Sequence, residues 1–82
     1  MKVTAESRPR LAPKARLRHD RIAQADMLLY PEHGLVLNAS ASAILRACDG
    51  RTVAEIAESL AAPVADVLEL LTTLAERGLV RE

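Results

Sequence analysis

The stretch MLLYPEHGLVLNASASAILRACDG, Met27 to Gly50, constrains the fold more than any other part of the chain. A short apolar strand, a Pro/Gly turn and a second apolar strand lead directly into a helix expected to stop at Asp49-Gly50. This order sets a strand with an open edge beside a helical bundle. Such an edge accepts an extended peptide as an extra strand.

The rest of the chain narrows what can surround that edge. Eighty-two residues allow one domain, and a chain of this size buries only about 60% of its unfolded surface. Small size and open edges therefore permit a homodimer, including an arm- or strand-swapped one. Half of the residues are apolar and Tyr30 is the sole aromatic, so the core must be aliphatic. Cys48 is alone, which excludes an intramolecular disulfide. The N-terminus lacks an apolar signal core, and no apolar run approaches the roughly 18 residues of a membrane span. These features read as a cytoplasmic chain with no membrane role.

Charge is uneven although the net charge is zero. Residues 1–51 carry nine Lys/Arg against five acids, and residues 52–82 carry two against six. The halves are thus +4 and −4. A basic half can steer an acidic partner, while the plainer reading is a solvated surface with internal complementarity.

Residues 1–15, with Pro9 and Pro13, read as an extended or disordered arm, and residues 16–82 as a single domain. Residues 16–22 alternate and form a half-exposed first strand. Gln24-Ala25-Asp26 is the expected turn. Met27–Tyr30 is apolar on both faces and takes the centre of the sheet. Pro31-Glu32-His33-Gly34 closes a hairpin, with Gly34 free to take positive φ. Leu35-Val36-Leu37 is the third strand. The fold class is α+β: a winged-helix-like, three-stranded antiparallel meander followed by a three-helix bundle.

The helices carry local punctuation. Asn38 or Ser40 caps the first, whose stripe is Ile44, Leu45 and Cys48, and Gly50 ends it. Thr52-Val-Ala-Glu55 is a capping box for the second, with Val53, Ile56, Ala57 and Leu60 as its buried face. Pro63 opens the third, whose wide stripe is Val64, Val67, Leu68, Leu71, Leu74 and Ala75. Gly78 ends it, Leu79 folds back on its last turn, and Val80 packs on the sheet.

Helices two and three resemble a helix-turn-helix, so a winged-helix nucleic-acid binder is the alternative to weigh. Its exposed recognition face would be Ala65, Asp66, Glu69, Thr72, Thr73 and Glu76. Three acids set against phosphates argue against nucleic acid. Two histidines and one thiol at unsuited spacing give neither a metal site nor a nucleophile–base pair, so no catalytic residue, metal or cofactor is expected. Leu70 lies at the edge of the third helix's stripe, near Thr73, Leu74 and Arg77. If the third strand packs beside that helix, an extended peptide can pair with the backbone of Gly34, Leu35, Val36, Leu37 and Asn38 and press on the helix. The plainer alternative has Leu70 closing the core or a structural dimerisation interface.

Arg10-Leu-Ala-Pro13, Arg16-Leu-Arg18, Leu28-Leu-Tyr-Pro-Glu32, Leu37-Asn38, Ala43-Ile-Leu45, Cys48-Asp-Gly50 and Thr52-Val-Ala-Glu-Ile56, in this order and spacing, resemble the PqqD family over residues 8–80. These are the peptide chaperones of pyrroloquinoline quinone (PQQ) biosynthesis. The resemblance implies a RiPP recognition element that binds the precursor peptide PqqA. It also implies delivery to PqqE, a radical SAM enzyme that crosslinks a Glu and a Tyr of that peptide. Iron–sulfur clusters and S-adenosylmethionine belong to that partner. In related elements the leader lies antiparallel along the third strand, against the third helix. By position this implies Leu35, Val36 and Leu37 on the strand and Val67, Leu70, Leu71 and Leu74 on the helix. One departure from the family pattern is a short link from Ala61 to Val64, which bears on the tilt of the third helix and the width of the groove.

Overall fold

A computed structural model describes residues 2–31 and 33–82. The element order is β1 (Arg10–Leu11), β2 (Arg16–Asp20), β3 (Ala25–Tyr30), β4 (His33–Leu37), α1 (Ala39–Arg46), α2 (Val53–Ser59), α3 (Val64–Glu76) and β5 (Val80–Arg81). The three strands read from the sequence are β2, β3 and β4. They form an antiparallel meander with β3 central, as the apolar character of Met27–Tyr30 requires.

The turns shift relative to expectation. The β2–β3 turn is residues 21–24, with Gln24 at φ 53°, and Ala25 and Asp26 already belong to β3. Asp20 Oδ1 accepts the N–H groups of Ile22 and Ala23, which ends β2 two residues early. In the second hairpin, Tyr30 faces His33 and Leu29 faces Gly34, so His33 and Gly34 are strand residues rather than loop. Glu32, assigned to that loop from sequence, lies outside the described residues.

Local caps follow the sequence. The Asn38 side chain accepts from Ala41 N at 2.7 Å and caps α1. Thr52 and Glu55 form the reciprocal capping box. Gly78, at φ 73°, completes a Schellman motif: its N–H reaches Ala75 O and the Leu79 N–H reaches Leu74 O, both at 3.0 Å. Two boundaries move. α1 ends at Arg46 with Ala47 as C-cap, so Gly50 (φ 110°) turns the chain beyond the helix. Pro63 is the N-cap of α3 and not its first residue, so the helix begins one residue later than expected. Leu60 and Val64, placed in apolar stripes, are 36% and 38% exposed, Leu60 as the C-cap of α2 and Val64 as the first residue of α3.

Residues 2–15 run as a strap with turns at residues 5–6 and 13–14, closed by Ser7 N–H to Thr4 O and Ala15 N–H to Ala12 O. Ser7, Pro9, Ala12 and Ala15 are buried. The strap's carbonyls at Ser7 and Ala5 accept from Val53 N and Ala54 N, the first two amides of α2. Together with the Thr52 cap, they satisfy donors that a helix start otherwise leaves to water. β1 pairs antiparallel with β5, which sets Val80 opposite Leu11 of the strap, and Val80 joins the core cluster that includes Leu28 and Leu37 of the sheet.

Leu28, Val53, Ile56, Val67 and Leu71 are fully closed to solvent and join Leu37, Ile44, Leu45, Leu74 and Leu79 in one aliphatic core. Full burial of each large side chain contributes about 1.5–3 kcal/mol. α1 packs on β3 and β4, α2 on α3, and α3 on β5. No described helix is long and apolar enough to cross a membrane.

Candidate functional site

β4 hydrogen-bonds to β3 on one side and, among the described residues, has no strand on the other. Its side chains alternate. Leu37 is 5% exposed and Leu35 packs against the core margin, while Val36 between them is 62% exposed. Gly34 serves close approach rather than a turn. A Cβ there would lie 3.1 Å from both Leu29 Cδ2 and Met27 Cε, so those two side chains lie over its backbone. The N–H and C=O groups along the outer edge of β4 therefore sit in a strand held by apolar contacts and free of Asp, Glu, Lys and Arg side chains.

The start of β4 comes close to the end of α3. His33, Tyr30 and Pro31 share a cavity of about 380 Å³ with Lys14, Arg77 and Leu79. The Tyr30 and His33 rings stand 5.7 Å apart, tilted by 58°. At its other end β4 runs into Asn38, whose side chain is committed to the α1 cap.

The helix residues proposed from sequence divide into two kinds. Val67, Leu71 and Leu74 are closed to solvent and form the floor behind any groove. Leu70 is half-buried and packs on the margin of the same core as Leu35. Its neighbours Thr73 and Arg77 are exposed. On the strand, Gly34, Val36 and Asn38 are exposed, Leu35 is half-buried and Leu37 belongs to the core. Of the nine positions, Gly34, Leu35, Val36 and Leu70 combine accessible surface with a free role.

One polar cluster was missed from sequence. Asp26, placed in a turn by that reading, is a buried β3 residue whose side chain points to α1. It accepts from the Ser42 hydroxyl, from Arg46 Nε and Nη2 at 3.0 and 2.7 Å, and pairs with His19 Nδ1 at 2.9 Å. The Ser42 and His19 hydrogen bonds, followed by Arg46, hold its carboxyl well below the usual carboxylate range against the opposing effect of burial. Spacing of Ser42 and Arg46 at i, i+4 on α1 was the only available signal. The arrangement fastens helix to sheet. It is not a nucleophilic triad, because the Ser42 proton goes to the carboxylate and not to the imidazole.

Other chemistry is equally accounted for. Burial and then Asp49 push the Cys48 thiol up to about 11, and its S–H donates to Ile44 O. Such a thiol is a poor nucleophile. Glu55 is held below its ordinary value by the Thr52 backbone N–H of the capping box. Among the described residues no group of three His, Cys, Asp or Glu is placed to hold a metal. The solvent face of α3 presents Asp66, Glu69 and Glu76.

Comparison with known proteins converges on one family. The model of "Coenzyme PQQ synthesis protein D (PqqD)" matches residues 27–80. A protein of Xanthomonas oryzae pv. oryzae named "PqqA binding protein" is 38% identical, over 96% of each chain. One of the same name from Rhodopseudomonas palustris is 38% identical over 98% of this chain and 87% of its own. Among solved structures, the NMR structure of the PqqD truncation of Methylobacterium extorquens PqqCD aligns over 100% of both chains, with TM-score 0.74 and 33% identity. It is described as a functional, stand-alone RiPP recognition element. With the meander, the three helices and these relatives in agreement, the chain belongs to the PqqD family.

Proposed function

We propose that this protein is a peptide chaperone of PQQ biosynthesis that binds the precursor peptide PqqA by strand addition at β4 and presents it to the radical SAM enzyme PqqE. Family membership and the naming of its relatives for PqqA binding support the ligand. The observation that carries the mode of binding is the outer edge of β4, an apolar strand edge left without a partner beside the end of α3.

Strand addition suits this task. Backbone pairing supplies affinity with little demand on sequence, and alternate side chains can test Leu35 on one face and Val36 on the other. Leu70 supplies apolar contact beyond the strand. A flexible peptide ordered in this way reaches the enzyme with part of its entropy cost already met. No chemistry is required of the chaperone itself. The acidic solvent face of α3 disfavours the alternative of a nucleic-acid interface.

Titration of isotope-labelled protein with PqqA tests the mode. Amide shifts concentrated in residues 33–38 and around Leu70 are expected. Shifts confined to residues 8–21, or none, would overturn it.

A further inference from the structure

The three-stranded sheet has one covered face and one bare face. α1 packs on the side that carries Leu28, Leu37 and Asp26. On the opposite side the strand register sets two cross-strand rows: Arg16, Leu29, Gly34 and Arg18, Met27, Val36. Each row begins with a cation on β2 and becomes apolar over β3 and β4. Val36 is 62% exposed, and Ile22, at the adjoining turn, is 97% exposed. Ile22, Arg18, Met27 and Leu29 line a hollow of about 490 Å³ there.

The cations of this face are not engaged within the chain. Among the described residues Arg16 and Arg18 form no ion pair. Asp20 sits at the end of β2, and its Oδ1 is committed to the turn amides of Ile22 and Ala23. Exposed apolar side chains flanked by unpaired arginines mark a surface built for a partner.

Charge decides which partner. A second copy packed about a twofold axis would bring the arginine flank against itself or leave it unmatched, since a twofold interface repeats one patch on both sides. A protein surface with an apolar centre and carboxylates along one flank fits both halves of each row. We infer that the bare face of the sheet is the docking surface for the enzyme that receives the peptide, and that the enzyme meets it with an apolar patch flanked by acids. The inference rests on the presentation role proposed above. The peptide adds to the edge of the sheet while the enzyme covers its face, the two meeting at Val36, so both are held at once.

The test measures PqqE binding and, in parallel, PqqA binding for the wild-type protein and for Ile22→Asp and Arg18→Glu. Ile22 is fully exposed, so its replacement leaves the core untouched; thermal melts check both variants. The expected result is a loss of PqqE affinity of about tenfold or more in each variant, with PqqA affinity within about twofold of wild type. PqqE binding that survives both substitutions overturns the inference and leaves the presentation role standing. No PqqE binding by the wild-type protein overturns the presentation role, and the inference falls with it. If the variants instead lose only binding to phosphatidylglycerol vesicles, or only self-association, the face belongs to a membrane or to a second copy and the inference is wrong.

Discussion

The two edges of the sheet are built from opposite materials. β2 carries Arg16, Arg18, His19 and Asp20 in five residues, whereas β4 carries Gly34, Leu35, Val36 and Leu37. On its outer side neither has a strand neighbour among the described residues. Charged side chains along an exposed edge hinder a further strand from docking. The chain thus guards one edge and leaves the other open. A peptide chaperone needs this difference, because two open edges would invite self-association and a second, unproductive peptide.

The largest expected effect removes the platform that both edges share. Leu28→Ala, in the central strand, should cost about 2–5 kcal/mol, read from the chemical denaturation midpoint, and abolish peptide binding by unfolding the sheet. Loss of binding without loss of stability would mean that the peptide touches the core side instead. Asp26→Asn keeps the shape of the side chain but removes its charge, and should lower thermal stability less than Leu28→Ala does. Its pH signature is specific. The folded-state carboxyl lies below the unfolded one, so the stabilisation is complete above about pH 4 and drains away as pH falls toward the folded value. Melts of the wild-type protein should weaken over that acid range, and those of the variant should weaken less.

The next test addresses the open edge alone. Leu70→Asp should lower PqqA affinity about tenfold, or ~1.4 kcal/mol, with a cooperative melt retained. An unfolded variant would assign Leu70 to the core and reduce the site to the strand. The smallest effect is expected on the guarded edge. Arg16→Thr with Arg18→Thr should leave PqqA affinity within about twofold while raising self-association in light scattering. A peptide stoichiometry rising from one to two would show that charge alone had kept β2 closed to the peptide.

Legibility from sequence followed the range of the interactions. The Thr52–Glu55 box and the Gly78 Schellman motif each lie within a few residues and formed as read, and of the two cap candidates for α1, Asn38 and Ser40, the cap is Asn38. The meander order followed from apolar content. By contrast, β1 and β5 are two-residue strands drawn from opposite ends of the chain, too short to show periodicity. Asp26 looked like a turn residue because its partners Ser42 and Arg46 arrive only when α1 docks. Gly34 read as turn chemistry, but the reason for glycine there is the space taken by Leu29 and Met27 from the neighbouring strand. For the candidate site, the order of the strand and the helix along the chain was legible. Which helix leucines are sealed and which are accessible depended on how α3 settles against α2.

The pairing of β1 with β5 has a mechanical consequence. Arg10 faces Arg81 and Leu11 faces Val80, and the Arg8 amide donates to Glu82 Oε1. Tension applied across the two ends would load these contacts one after another, as in a zipper, rather than shearing many bonds together. The strap would yield at low force before β2, β3 and β4 felt any load. A tether on either end could therefore pull on this domain without distorting β4 and its open edge.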